Sequence, residues 1–218
     1  MSCAICEVRR PRRYCPGVRG QICAPCCGAE REVSVCCPFD CDYLQQARRH
    51  ERVPDLKEQD IPNRDLQVPQ GFFEENNALI SLSSRLLLEA ALAVPGVSDA
   101  DVREALETLI RTFRTLESGI YYESRPNNPL AGAVHQGFQA RLSQAREDLA
   151  RRAGSVGVIR DAAILGVLAL LQRMALNYDN GRSHGRPFLH YLWDMCSGRP
   201  VAGGAPPRAA GGSPLIVP

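Results

Sequence analysis

The sequence predicts a mostly α-helical protein in which a small cysteine-rich zinc module precedes a bundle of four to five helices. Three observations support this fold class. Nine of the ten cysteines lie at or before Cys41. Apolar residues recur with the 3.6-residue period of an α-helix through most of residues 71–196. The connections between these periodic segments are short, as they are in helical bundles.

The chain divides into four segments where its composition changes. Residues 1–52 form the cysteine-rich module, and residues 53–70, with prolines at positions 54, 62 and 69, predict a semi-rigid linker along the surface. Residues 71–196 carry the helical period, and residues 197–218, rich in Gly, Ala and Pro, predict a disordered tail. A chain of 218 residues is long enough for a helical domain and one small module.

The first two helices of the bundle are predicted from their apolar faces and from signals at their ends. The first helix covers about residues 72–94, and Pro95 ends it. The second begins after Ser98, where Asp101 stands three residues later and completes a capping box. The faces consist of Leu79, Leu82, Leu86 and Ala90 in the first helix, and of Val102, Leu106, Leu109, Phe113, Leu116 and Ile120 in the second.

The remaining helices differ in how much of their surface is apolar. The third, over residues 130–153, is amphipathic, whereas the fourth, over residues 158–178, is apolar almost all round in its first half and is predicted to lie in the middle of the bundle. A short fifth helix follows Pro187. The apolar residues behind these predictions are Leu130, Val134, Phe138, Leu142, Ala145 and Leu149, and then Ile164, Leu165, Val167, Leu168, Leu170, Leu171 and Met174.

The cysteine-rich module has too few apolar side chains to fold around a hydrophobic core. The N-terminus shows no apolar export signal, and the longest strongly apolar run, residues 162–171, is too short to cross a bilayer. We therefore expect a soluble, cytoplasmic protein. In a reducing compartment, clustered thiols are better candidates for metal ligands than for disulfides.

The spacing of the cysteines predicts two zinc sites. Zinc(II) takes four ligands tetrahedrally, and two thiolates separated by two residues close on one ion because the intervening backbone N–H groups donate to sulfur. The predicted ligands are Cys3, Cys6, Cys23 and Cys26 for one ion, and Cys15, Cys27, Cys37 and Cys41 for the other. An exchange of Cys26 with Cys27 stays open. Strand-like alternation points Cys36 away from Cys37, so Cys36 is left out, although its substitution for Cys37 also stays open.

This pattern resembles the HIT and MYND cross-brace fingers. The similar features are the two x2-spaced cysteine pairs, the Tyr14-Cys15-Pro16 stretch and a final clasp that ends at Cys41. The resemblance covers residues 1–45. The sequence departs from those fingers in two places: it has Gly17 and Val18 where they usually have a further ligand, and Cys37 where they usually have a histidine. It implies two interleaved zinc ions and a role in protein contacts.

An arginine cluster beside the first cysteines makes nucleic-acid binding an alternative, since Arg9, Arg10, Arg12 and Arg13 could bind phosphate. Residues 1–53 carry nine arginines and six acidic residues, but eight thiolates with two zinc ions add four negative charges and leave a net charge of −1. All but one of the 26 basic residues of the chain are arginine, a bias typical of a GC-rich genome. We therefore favour compensation of the sulfur charge over phosphate binding.

The segment before the tail offers a third hypothesis, an enzyme site in the bundle. His184, His190 and Asp194 could form a metal or acid–base site, with His190 and Asp194 one helical turn apart. Because no motif there specifies a reaction, we favour the interpretation of this segment as a surface loop and an amphipathic last helix that docks on the bundle. We predict a non-enzymatic interaction or adaptor protein, with a nucleic-acid-binding regulator as the alternative; the protein partner and the oligomeric state are not predicted.

Overall fold

The computed structural model describes residues 2–51, 57–66, 69, 71–119, 122–153 and 159–198. Within these residues the chain is mostly α-helical and has one short hairpin, which confirms the predicted fold class. The elements are β1 (Arg13–Cys15), β2 (Gly20–Ile22), α1 (Ala24–Glu30), α2 (Asp42–Arg48), α3 (Phe72–Glu75), α4 (Asn77–Leu92), α5 (Asp99–Glu117), α6 (Pro129–Ala153), α7 (Asp161–Asn177) and α8 (Pro187–Ser197).

Some predictions fall on residues that the structure does not describe. These are residue 52 at the end of the predicted module, the linker residues 53–56, 67, 68 and 70, the proposed start of the fourth helix at Val158, the face residue Ile120, and the predicted disordered tail beyond residue 198. Ser197 itself, which the prediction assigned to the tail, is the last residue of α8.

The bundle is built on a shared core of α4, α5, α6, α7 and α8. Helix α5 packs against α6, α7 and α8, and α4 packs against α6, α7 and α8 as well. Helix α7 is buried on most of its sides, as its sequence predicts, with Ile164, Val167, Leu168 and Leu171 fully inaccessible. None of the helices in the described ranges combines the length and the apolar character that a membrane span requires.

The first helix of the bundle is not continuous, which corrects the predicted single helix over residues 72–94. The break lies at Asn76, whose backbone has φ −113° and ψ 15° and separates α3 from α4. The Asn76 side chain donates a hydrogen bond of 3.0 Å to the carbonyl of Phe72, and such local bonds compete with helix continuation. The ring of Phe72 then lies over Gly166 of α7, where a Cβ would come within 2.7 Å of it.

The predicted capping box at the start of α5 is present. The backbone N–H and the hydroxyl of Ser98 both donate to the Asp101 carboxylate, each at 2.8 Å. The neighbouring Asp99 is buried, and its carboxylate accepts the backbone N–H groups of Phe188 and Leu189 at 2.7 and 3.1 Å. The first turn of α8 is thereby fixed to the first turn of α5.

The described part of the predicted linker is held against the bundle. Asn63 donates from its side chain to Gln172 at 2.8 Å and to Glu107 at 3.1 Å, and it accepts a bond of 3.0 Å from Arg114. Leu66 packs against the bundle core. Residues 63–66 therefore lie along α5 and α7 in a defined position.

The cysteine-rich residues lie against the loop between α7 and α8, residues 178–186. The contacts run through residues 31–37, where the backbone carbonyls of Arg31 and Glu32 accept hydrogen bonds from Arg182 and His184 at 2.8 and 2.9 Å. The division of the chain into a module, a linker and a bundle stays a prediction.

Candidate metal centre

Four cysteines of the N-terminal segment meet at one point. The sulfur atoms of Cys3, Cys6, Cys23 and Cys26 all lie within 4.8 Å of one another. Tetrahedral thiolates around zinc, with Zn–S bonds of about 2.3 Å, stand about 3.8 Å apart, so the group fits such an ion. Cys3, Cys23 and Cys26 are buried and Cys6 is half-buried. In the described part of the chain, no other group of three histidine, cysteine or acidic side chains is as close.

The hairpin brings the two cysteine pairs together. Cys23 directly follows β2, and Cys26 lies in the first turns of α1. The loop that carries Cys3 is tied to this hairpin because the N–H of Ala4 donates to the carbonyl of Gln21 at 2.8 Å. The two cysteine pairs are about twenty residues apart in the sequence, and the pairing of β1 with β2 brings them together.

Backbone N–H groups surround the sulfurs of the first pair. The N–H of Cys23 donates to the sulfur of Cys3 at 3.2 Å. Burial alone would raise the pKa of Cys3, but the N–H groups of Cys6, Cys23 and Ile5 outweigh it and lower the pKa to about 6. This is the arrangement expected where N–H groups support a ligating thiolate.

The pKa values of Cys6 and Cys26 are shifted in opposite directions. The N–H groups of Arg9 and Val8 lower the pKa of the Cys6 thiol, whereas a hydrogen bond with Cys23, together with burial, raises the pKa of Cys26 to about 12. Adjacent thiolates repel one another, so all four sulfurs ionise together only when a cation lies between them.

The structure bears on two alternatives that the sequence leaves open. Cys26, not Cys27, belongs to the close group with Cys3. Cys37 is buried, whereas its neighbour Cys36 is exposed. Which of the two would ligate a second ion stays a prediction.

The second predicted ligand set surrounds one small cavity. Cys15, Cys27, Cys37 and Cys41 all border a cavity of about 10 Å³ beneath α2. Burial raises the pKa of Cys37, and the negative charges of Glu32, Cys41 and Cys15 raise it further. No three of these four sulfurs all lie within 4.8 Å of one another, so the structure brings the residues to one cavity without forming a tight cluster.

Three arginines face the sulfur atoms. Arg13 and Arg31 approach the sulfur of Cys27 at 3.6 and 3.9 Å. A hydrogen bond with Cys23, and then the charges of nearby thiolates, raise the pKa of Arg9. Guanidinium groups in these positions are able to compensate thiolate charge, and the choice between this role and phosphate binding stays a prediction.

The histidines of the bundle do not form a comparable group. His190 is buried, stacks on Phe39 with ring centroids 5.4 Å apart, and lies 3.8 Å from the carboxylate of Asp194. His184 contacts the cysteine-rich segment through its backbone N–H, which donates to the carbonyl of Glu32. Among the described residues, His184, His190 and Asp194 do not come close enough to share one ion.

Glu32 is the residue of this region that sequence reasoning missed. Its side chain is only 1% exposed, and its backbone has φ +54°, a left-handed conformation that is uncommon for glutamate. The carboxylate accepts hydrogen bonds from Arg48 at 2.7 Å, from the Asn180 side chain at 3.0 Å and from the backbone of Arg186 at 3.0 Å. The only signal in the sequence is an acidic residue beside Val33 and Val35, which is too weak to predict such a site.

Comparison with protein-family models, with curated proteins and with solved structures finds no significant match to this chain.

Proposed function

We propose that the protein is a zinc-binding adaptor in which the N-terminal residues form a two-zinc, cross-brace module. One observation carries this proposal: four thiols lie within 4.8 Å of one another in a segment with little hydrophobic core of its own. A bound ion supplies the folding free energy that such a segment lacks. Thiolate ligation from four cysteines is typical of a structural zinc site.

The second ion is assigned to Cys15, Cys27, Cys37 and Cys41. The assignment is supported by the cavity that these residues share and by the interleaving of Cys15 between the two pairs of the first site. That interleaving is also the feature in which the segment resembles the HIT and MYND fingers. Metal analysis by native mass spectrometry tests it: two zinc ions per chain are expected, and the Cys15→Ser variant should retain one.

A role in protein contacts is supported by the surface of the module. Half of the large hydrophobic side chains that are exposed in the described residues belong to it, namely Val8, Tyr14, Val33 and Tyr43. Val8 is 86% exposed and projects from the turn that follows Cys6. Exposed apolar side chains mark a contact surface when they form a contiguous patch, and the proposal expects these four side chains to contribute to one.

Affinity capture from the host tests the adaptor role. Val8→Asp should abolish capture of a specific protein by the full-length chain. The matched control Leu92→Asp, at an exposed apolar position on α4, should leave it unchanged. Equal capture by both variants, or recovery of nucleic acid in place of protein, would contradict the adaptor role while leaving the zinc assignment intact.

A further inference from the structure

The loop between α7 and α8 lies alongside the backbone segment between Cys27 and Cys37, two ligands of the second proposed site. Residues 31–37 form the last part of the segment that runs from Cys27 to Cys37. Four of their backbone carbonyls accept hydrogen bonds from residues 182–186 of the loop. The bonds are Arg182 Nη1 to the Arg31 carbonyl at 2.8 Å, His184 N to Glu32 at 2.9 Å, Ser183 Oγ to Val33 at 2.5 Å and Arg186 Nη2 to Cys37 at 2.5 Å.

Arg186 holds this segment in two places at once. Its guanidinium donates to the carbonyl of Cys37, and its backbone N–H donates to the carboxylate of Glu32 at 3.0 Å. The guanidinium carbon also lies 4.5 Å from the ring centroid of Phe39. Phe39 lies between Cys37 and Cys41 in the sequence. Arg186 therefore contacts both the backbone of Cys37 and the side chain in the middle of residues 37–41.

The first metal site has no such support. Its sulfurs are surrounded by backbone N–H groups of residues 5–23. Among the described residues, no hydrogen bond joins Cys3, Cys6, Cys23 or Cys26 to the bundle. The two sites of one small module therefore differ in their dependence on the rest of the chain.

We propose that the bundle completes the second metal site, with Arg186 as the positioning residue that holds Cys37 in its ligand position. The inference rests on the proposed two-ion function. Coupling between two binding events is reciprocal. Occupancy of the second site therefore strengthens the attachment of the module to the loop before α8 by the same factor by which this attachment strengthens metal binding. The first site retains its ion independently of this contact.

The test is a competition between the full-length protein and a zinc chelator, followed by native mass spectrometry. Arg186→Ala is expected to weaken one of the two zinc ions by about 10- to 100-fold, the range found when an outer-shell partner of a metal ligand is removed, and to leave the other unchanged. Arg10→Ala, on the exposed side of the first cysteine loop, is the matched control and should leave both affinities unchanged. Arg186→Lys, which retains a donor for the Cys37 carbonyl, should recover part of the lost affinity.

A second readout separates positioning from a general loss of stability. Removal of the weaker zinc ion from the wild-type protein should increase amide hydrogen exchange at the start of α8, near Phe188 and Leu189, while exchange in α4 and α6 stays constant. If Arg186→Ala does not fold, Ser183→Ala, which removes one loop contact, should show the same selective weakening to a smaller extent.

The outcomes distinguish this inference from the function on which it rests. A wild-type chain that binds a single zinc ion would contradict the second site itself. Two ions whose affinities are unchanged in Arg186→Ala, or lowered equally, would overturn the positioning role and leave the two-ion function standing.

Discussion

The carboxylate of Glu32 and the guanidinium of Arg48 form an ion pair of 2.7 Å in which neither side chain reaches solvent appreciably, their exposed fractions being 1% and 7%. The pair joins the loop after α1 to α2, and Asn180 and Arg186 of the bundle complete the coordination of the carboxylate. A buried charge is tolerated only when its partners satisfy it. This one contact therefore links the middle of the cysteine-rich segment to α2 and to the bundle.

Removal of the Glu32 charge is expected to destabilise the protein strongly. Glu32→Gln keeps the shape of the side chain but leaves Arg48 buried without a counter-charge, a change that costs about 3–5 kcal/mol. Urea unfolding, monitored with a probe in the cysteine-rich segment, measures this loss in the free energy of unfolding. Glu89→Gln, which removes the exposed ion pairs of Glu89 with Arg85 and Arg141, is the control and should change the free energy of unfolding by less than about 1 kcal/mol. Equal effects of the two substitutions would contradict the structural role of Glu32.

Gly17 permits the close approach of two backbone segments beside the second site. A Cβ at this position would lie 2.6 Å from Cγ1 of Val35 and 2.8 Å from the carbonyl oxygen of Cys36. Gly17→Ala is therefore expected to displace residues 35 and 36, which lead to Cys37, and to lower zinc content from two ions per chain toward one. Gly28→Ala, in α1 with nothing within 4 Å of its new Cβ, is the matched control and should bind zinc normally. Normal zinc content in both variants would count against the assigned geometry.

Asp99 predicts a pH dependence of stability. Burial raises the pKa of Asp99 to about 7, although the N–H groups of Phe188 and Leu189 oppose the shift. In the unfolded chain an aspartate has a pKa of about 3.9. The folded protein therefore binds the proton more tightly, so the stabilisation is present at low pH and is lost as the pH rises from about 4 toward about 7.

Asp99→Asn removes this titration and keeps an acceptor for α8. Between about pH 5 and about pH 8, the melting temperature of the wild type should fall relative to that of Asp99→Asn. The comparison of two chains with identical cysteines cancels the pH dependence of metal binding. Parallel melting curves across this range would show that Asp99 does not titrate as described.

The arginines bear on the nucleic-acid alternative. Arg9, Arg13 and Arg31 are directed at sulfur, although Arg9 is also exposed to solvent. Within the described residues, the members of the original cluster without a sulfur contact are Arg10 and Arg12, which are both exposed. Two phosphate contacts give weak binding with a shallow dependence on salt. The zinc-loaded protein should therefore pass through a heparin column at low salt. Retention with a steep salt dependence would instead favour the nucleic-acid-binding regulator.

The helices of the bundle were predictable because each is specified locally. The Ser98–Asp101 capping box and the apolar surface of α7 are visible in short windows of sequence, and both are present in the structure. The break at Asn76 was not predicted because an asparagine inside an apolar pattern gives no indication of which backbone group it will contact.

The candidate site was predictable in part for a similar reason. The x2 spacing of Cys3 and Cys6 is itself a local signal, and it correctly selected two members of the close group. The choice of Cys26 over Cys27 required the hairpin, whose three-residue strands are too short to predict. The partners of Glu32 lie up to 154 residues away, so no local pattern in the sequence indicates them.

Metal analysis combined with amide hydrogen exchange, before and after treatment with a strong zinc chelator, tests most directly whether metal ligation replaces a hydrophobic core in residues 2–51. Two zinc ions per chain are expected. Their removal should eliminate amide protection in this segment, while most of the helical circular dichroism signal from α4 to α7 remains. A freshly purified chain that contains no metal and is still fully protected over residues 2–51 would contradict the account.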